Sequence, residues 1–473
     1  MRPYRRVLLA AVALLVVGLG LPNLPAGALH PDLPPLARPG GGTVSWLSSD
    51  GGRVHDDADR TVLLRGYNLD ALVDYPDHTP APLEEADAEM MARTGATVAR
   101  LAITWSSIEP DRGRFDHAYV ERIAAAVAML ERHGLYVVLD MHFFPNWGPA
   151  FGGAGAPRWA TIPAVPDIKW PNDMARKNLS PAANAASAYF WMAADWQGDF
   201  LQAWKFVARR FRDDPGVAGY DLYNEPRPLP IPPAIFEKQF MWPLLSRTIS
   251  AIGTVDPNHL FIVEATLFVD LPTVIVPVRA RNLVYEPHVY TGALVPPAFD
   301  GNRRRLTEVM GERQREARDL GAALWSGEIG IDHGVRKSAQ WADAVLDISD
   351  DLGAGWAWWQ WREANPDWSI RDYAGDHVDR EYLRHVSRPF LAAAPRGVRG
   401  ARGNGQTGVL DVKVSGAHGD GMAELAWPSL TLPPPTASGT CVASQHFDAA
   451  RSRLVLELQP GVGCSIAVRA QNA

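Results

Sequence analysis

The stretch "VAGYDLYNEP", Val217 to Pro226, decides how the chain is read. A β-type apolar run stops in Asn-Glu-Pro. A strand this apolar suits burial on both faces, as in a parallel sheet covered by helices. Ser or Gly would serve a purely structural strand end equally well. Glu225 is therefore a cap, a salt-bridge partner or a catalytic group.

Seven further β-type runs share this character. They are "TVLLRGYNL" (61–69), "TVARLAITW" (97–105), "YVVLDMHF" (136–143), "LFIVEAT" (260–266), "NLVYEPHVY" (282–290), "ALWSGEIG" (323–330) and "GWAWWQW" (355–361). Amphipathic segments such as 118–134 and 200–212 lie between them, with apolar residues at three- and four-residue spacing. Eight strands alternating with helices predict an α/β fold, a closed (β/α)8 TIM barrel spanning residues 43–395. The competing arrangement, an open doubly wound sheet, would carry a Gly-rich phosphate loop after an early strand, and the sequence has none. The segment from Phe144 to Trp196, rich in Pro, Trp, Gly and Ala, reads as a lid or binding wall holding one short helix. From residue 396 to 473 the pattern becomes short β runs with turns, which predicts a small all-β sandwich.

Arg2, Arg5 and Arg6 precede the apolar run Val7 to Leu21, and Ala26 and Ala28 supply small residues for cleavage. Residues 1–28 thus read as an export signal, by the general or the twin-arginine route, and 29–42 as a Pro/Gly linker. The apolar run is shorter than the ~20 residues a membrane-spanning helix needs. A secreted protein is expected. The two cysteines, Cys441 and Cys464, are expected to form a disulfide in an exported chain. The net charge of −7, with no basic stripe, argues against a nucleic-acid partner. The 17 Trp raise the prospect of a carbohydrate or lipid ligand.

Function in such a barrel sits at the C-terminal ends of the strands. Those ends collect Asn68, Arg100, His142, Asn224, Glu225, Glu264, His288, Tyr290, Glu328 and Trp359. Buried polar groups cost free energy unless paired, so this set points to a site. Glu225 and Glu328 close the fourth and seventh strands. Cleaving a glycosidic bond through a covalent intermediate needs two carboxyls about 5–5.5 Å apart, one holding a proton for the leaving oxygen and one ionised to attack. Asn224 could then bind the sugar 2-hydroxyl, Arg100 could hold Glu328 ionised, Tyr290 could donate to the same carboxylate, and Trp359 could floor the ring. Glu264 is the rival nucleophile, since it also ends a strand, and Glu286 is expected to pair inside the barrel. Among Trp356, Trp358, Trp359 and Trp361, only Trp359 is expected in the pocket. Phe143 and Phe144 read either as an apolar lip for a lipid or as a packed loop. No metal is expected, because nothing shows ligand spacing.

Together "ARLAITW", "DMH", "YDLYNEP", "YEPHVY", "SGEIG" and "GWAWWQW" resemble glycoside hydrolase family 5, retaining β-glycosidases on a TIM barrel. The resemblance implies Glu225 as acid/base and Glu328 as nucleophile, with Arg100, His142, Asn224, His288, Tyr290 and Trp359 around the substrate and no cofactor. "RTVLLRGYNL", "GAPRWAT" and "FVARRFRDDPGVAGYDLYNEP" are similar, more narrowly, to actinobacterial endoglycoceramidases. That likeness implies an enzyme that cuts glycan from ceramide and places Trp159 at the glycan pocket; separately, a monomer with transient membrane-surface contact is expected. The chain departs from that group twice. Phe143-Phe144 replaces a Gln-Asp pair after the strand-three His, and the loop "DALVDYPDH" (70–78) lacks a Lys. A polysaccharide-cutting endoglucanase or mannanase is the other enzymatic reading, and a non-catalytic carbohydrate-binding barrel is the reading outside enzymes.

Overall fold

The computed structural model describes residues 44–471 apart from 168–177, 229, 268–269, 364 and 417–420. The expected export signal (1–28) and linker (29–42) lie outside the described residues. Eight parallel strands close into a barrel: β1 (Arg65–Leu69), β2 (Val98–Ile103), β3 (Tyr136–Met141), β4 (Val217–Asp221), β5 (Leu260–Glu264), β6 (Leu283–Glu286), β7 (Ala323–Ile329) and β8 (Gly355–Trp358). Each pairs with its sequence neighbours, and β8 returns to β1 through Trp356↔Arg65 and Trp358↔Tyr67. The open-sheet alternative is thereby excluded.

Period-two alternation sorts each strand's residues between two surroundings. One set, including Leu101, Leu139, Val263 and Tyr285, packs in the large core with the helices. The other set, Val98, Val138, Ile262 and Val284, forms a separate apolar layer inside the barrel. Leu47, Val54 and Val62 from an N-terminal hairpin join that layer and stop the barrel's lower end. Two residues further along the same strands, the inward positions become Arg100, Asp140, Glu264 and Glu286, all buried. The barrel interior is therefore apolar below and ionic above.

The helices follow the sequence closely at their caps. Asp116 accepts a hydrogen bond from the Tyr119 amide at 3.0 Å to start the helix His117–Arg132. Ser180 accepts from the Ala183 amide ahead of Pro181–Met192, the helix inside the long loop after β3. Pro181 fits there because the first helical position needs no amide donor. The next helix, Ala194–Phe211, starts earlier than its apolar periodicity indicated. Among the described residues no helix is long and apolar enough to cross a membrane.

The β-rich part divides differently from the sequence reading. The predicted strand 61–69 is two strands: Thr61–Val62 belongs to another sheet, and only Arg65–Leu69 enters the barrel. A seven-stranded sheet runs in the order Leu47–Asp50, Arg53–Asp56, Thr61–Val62, Phe390–Ala394, Gly421–Ala426, Arg453–Leu458, Val442–Asp448. It thus joins residues on both sides of the barrel sequence, so residue 396 is not a clean boundary. A four-stranded sheet (Val398–Gly400, Val409–Val414, Cys464–Ala470, Pro435–Ser438) supplies the other side of a shared core around Leu410, Leu425, Trp427 and Leu456. The Arg453 guanidinium, buried, donates to the carbonyls of Gly95 and Ala96 at 3.2 and 2.6 Å, fastening this unit to the barrel.

Cys441 and Cys464 form a disulfide across a sequence separation of 23. Such a link restricts the unfolded chain and is worth about 2–4 kcal/mol. Cys441→Ala/Cys464→Ala should lower the melting temperature by several degrees while leaving catalysis at 25 °C intact. Calorimetry with parallel rate measurements checks this; an unchanged melting temperature would contradict it.

Candidate active site

Arg100 is the centre of the site. It leaves the middle of β2 pointing inward, with its side chain wholly buried. Its guanidinium lies 3.1 Å from Asp140, 2.8 Å from Asp221, 3.3 Å from Glu286 and 2.9 Å from Glu328. It also donates to Asn68 Oδ1 at 3.1 Å and Asn224 Oδ1 at 2.8 Å. Burial opposes its charge, but the surrounding carboxylates hold its pKa well above the ordinary arginine value. A planar fork of five donors suits this role; an ammonium could not address so many acceptors.

Glu225 follows β4 with φ +48°, a left-handed conformation uncommon outside glycine. Its amide donates to Glu264 Oε2 at the end of β5. Glu264, weighed as rival nucleophile, is instead a buried clamp on the backbone of the Asn-Glu-Pro turn. His288 Nδ1 lies 3.0 Å from Glu225 Oε1 and 3.3 Å from Glu328 Oε2. Glu225 and Glu328 therefore meet at a single nitrogen. Tyr290 donates its hydroxyl to Glu328 Oε2 at 2.8 Å. Asn224 keeps its buried Nδ2 without a hydrogen-bond partner, free for a ligand acceptor. A side chain at Gly327 would collide with Glu286, since a Cβ there would lie 1.0 Å from Glu286 Oε1. The glycine before Glu328 is thus what lets the two acidic residues share the barrel interior.

Burial pulls the His288 pKa down, yet Glu264, Glu328, Glu225 and Glu286 together raise it well above the usual histidine value. The ring is an imidazolium lodged among carboxylates. For Glu328, burial is the largest influence and raises the carboxyl above its ordinary value against the pull of His288 and Arg100. Arg100 alone implied a carboxyl held fully ionised; desolvation of a side chain only 6% exposed outweighs it. Burial likewise raises Asp221 and Glu264 well above the carboxylate range.

These groups open into a cavity of about 510 Å³. His142, Asn224, Glu225, Tyr290, Glu328 and Trp359 line it. The His142 ring stacks on Trp359 at 5.7 Å between centroids, and its Nδ1 lies 2.8 Å from Asp140 Oδ2. Trp356 and Trp358 are buried in the core, as alternation along β8 required; Trp361 lies beyond the strand and is buried with its indole donating to Asp87 Oδ1 at 2.9 Å. Phe143 and Phe144 part company: Phe143 stacks on Tyr223 in the core, and Phe144 faces the cavity.

Trp159 departs from its expected place. It is absent from the cavity lining, and its indole donates to the Glu109 carbonyl at 3.1 Å while meeting Trp105 edge-on. These contacts seat the ring against the segment Trp105 to Glu109 that follows β2. Asp70 and Glu363 do line the cavity and were not singled out from the sequence. Both sit in loops after strands, where an isolated acidic residue gives no pattern. Glu225, Glu264 and His288 also offer ligand atoms within 4.8 Å of one another, a spacing a cation could use. However, His288 meets Glu225 through Nδ1 and Glu264 through Nε2, on opposite edges of the ring. One ion could not replace both contacts, and the arrangement is that of a charged imidazole bridging acids.

The profile of the cellulase family (glycosyl hydrolase family 5) matches residues 56–365. The chain is 35% identical over 192 residues to endoglycoceramidase I of Rhodococcus hoagii, covering 39% of this chain and 38% of the relative. It is 26% identical over 204 residues to an endoglycoceramidase of Cyanea nozakii, covering 37% and 41%. The matched region thus spans about two fifths of those relatives' length. In three dimensions a crystal structure of an endogalactoceramidase aligns with TM-score 0.77 and 28% identity over 90% of this chain and 100% of that one.

Replacing Arg100 by Met should cost about 3–5 kcal/mol at neutral pH, because several carboxylates would lose their buried partner. The pKa values of Asp221 and Glu328, already raised by burial, would rise further above those of the unfolded chain. Stability from such groups is complete below the unfolded pKa and is lost as pH rises through the folded one. The deficit of the variant, measured by urea unfolding, should therefore be larger at pH 8 than at pH 5. An equal deficit at both would contradict the electrostatic reading.

Proposed function

The chain belongs to glycosyl hydrolase family 5, and on that premise we propose that it is a secreted retaining β-glycosidase that releases glycan from a glycolipid. The observation carrying the mechanism is the shared contact at His288. Its two distances, 3.0 Å to Glu225 and 3.3 Å to Glu328, laid end to end fall short of the ~6.5–9.5 Å between carboxyls in inverting enzymes. A separation of the contacting oxygens capped below that range supports direct attack by the carboxylate over attack by an intervening water.

Glu328 attacks the anomeric carbon while Glu225 gives its proton to the departing oxygen. A glycosyl ester forms on Glu328. Glu225, now a carboxylate, takes a proton from water, and the resulting nucleophile cleaves the ester. Arg100 and Tyr290 hold Glu328 for attack and take back its charge when the ester breaks. Trp359 offers a face for the sugar ring, and the free Nδ2 of Asn224 offers a donor to a hydroxyl.

The lipid follows from which side of the cavity Glu225 occupies. The acid must sit by the leaving group. Phe144 and Pro145 after β3, Leu267 after β5 and Leu294 with Val295 after β6 surround that side, and all line the cavity. Leu179, Ile235, Leu271 and Leu294 are 46–61% exposed on the loops after β3 to β6. Exposed apolar residues on those loops, with Leu294 among the cavity's lining, suit a lipid aglycone delivered from a membrane surface. The disulfide and the N-terminal export pattern support secretion.

Glu225→Ala should slow hydrolysis of a glycolipid at least a hundredfold more than that of an activated aryl glycoside, whose leaving group needs little protonation. Glu328→Ala should abolish both. Steady-state kinetics decides; equal losses for Glu225→Ala would contradict its acid role. Offered glycosphingolipids and soluble β-glucans or mannans, the wild type should release free glycan from the lipids at a kcat/KM at least tenfold higher. Product mass analysis showing the reverse order would establish a polysaccharide enzyme.

A further inference from the structure

The cavity is two-sided. Its apolar half follows β3, β5 and β6. The opposite half is built by the loops after β1 and β8, which are neighbours in the closed barrel. That half carries Asp70, Asp77, His78 and Glu363. Gln360, in the turn after β8, is fully buried. Both its amide atoms lack a hydrogen bond of normal geometry, although the amide lies close enough to draw down the pKa of both Asp70 and Glu363. The His142 Nε2, also buried, and Glu363 Oε2 have no hydrogen-bond partner either. His142 and Glu363 line the cavity, with Gln360 buried behind them, and unpaired buried polar atoms facing a cavity are costly unless something binding there satisfies them. Burial raises Asp70 to about 6 and, with Asp70 beside it, Glu363 to about 7. No cation answers these two carboxyls at hydrogen-bond distance among the described residues.

We propose that Asp70 and Glu363, with Gln360 against both, form the glycone-recognising wall and select sugars that present hydroxyl donors and carry no acidic group. The inference rests on the glycosidase reading for its placement. The leaving group occupies the Glu225 side, so the sugar being transferred and whatever extends from it face the β1 and β8 side. Carboxyl oxygens accept hydrogen bonds from vicinal hydroxyls, and the buried Gln360 amide behind them positions both carboxyls. A sugar carboxylate would face like charge in a poorly solvated wall and would leave those acceptors unmatched, the strongest form of discrimination open to a binding site. The loop 70–78 contributes acceptors here and no lysine.

The test compares p-nitrophenyl β-glucoside with its β-glucuronide, and the β-galactoside with its β-galacturonide, on the full chain. The wild type should favour the neutral member by at least a hundredfold in kcat/KM. Asp70→Asn with Glu363→Gln, near-isosteric changes, should narrow that ratio at least tenfold, mainly through KM; each single variant should narrow it less. A second arm measures calorimetric binding of the methyl glycosides to Glu328→Gln protein, where no turnover is needed. Loss of neutral-over-acidic preference in the Asp70/Glu363 variants supports the wall even if no aryl glycoside is cleaved, an outcome that would instead sink the glycosidase reading. Turnover with an unchanged ratio in the double variant, or equal binding of neutral and acidic glycosides by the otherwise unaltered wall, overturns the proposal.

Discussion

A single guanidinium holds the upper barrel together. Arg100 sits among Asp140, Asp221, Glu286 and Glu328 with no exposed surface of its own. An ion in such a place would be expelled or neutralised unless its partners were equally fixed. They are fixed because each comes from a different barrel strand and none can move without shifting a sheet. The site's geometry is thus a consequence of charge balance inside a rigid closed structure. Since Glu328 is one of the four, its position and its ionisation are tied to the same arginine.

His288 extends that network across the barrel mouth. As an imidazolium it joins Glu225, Glu264, Glu286 and Glu328. Glu264 in turn holds the amide of Glu225, whose backbone lies in a region that costs free energy for a residue with a side chain. The turn is strained and the clamp is buried. Together they aim one carboxyl into the cavity while the neighbouring backbone stays fixed, which is the preorganisation that acid–base chemistry at a sugar requires.

The cavity around these groups is chemically polarised. Apolar side chains crowd the loops after β3, β5 and β6, and carboxyls crowd those after β1 and β8. The two glutamates lie between, so the proposed substrate would set a greasy leaving group on one side and a hydroxyl-rich sugar on the other. The β-rich unit stays out of this: its strands brace the barrel through Arg453 and share a sheet with the N-terminal hairpin.

The sequence by itself determined the barrel, because alternating apolar runs and amphipathic helices admit few arrangements. It also pointed to Glu225 and Glu328, since polar residues ending apolar strands stand out, and to Arg100, His288 and Tyr290 beside them. Tertiary structure decided what local pattern could not. Thr61–Val62 left the barrel strand because pairing with Phe390–Ala394 is a contact between distant segments. Trp159 turned away because its indole found the Glu109 carbonyl. Glu264 became a clamp because the Glu225 amide happened to face it. Glu328 moved upward in pKa because desolvation depends on everything packed around it. Asp70, Gln360 and Glu363 were invisible in the chain because each is unremarkable alone, and only closure of β8 onto β1 brings them to one wall. Periodicity is a local property that a strand or helix writes into its own residues; burial and juxtaposition belong to pairs of residues far apart in the chain, and only the folded barrel supplies them.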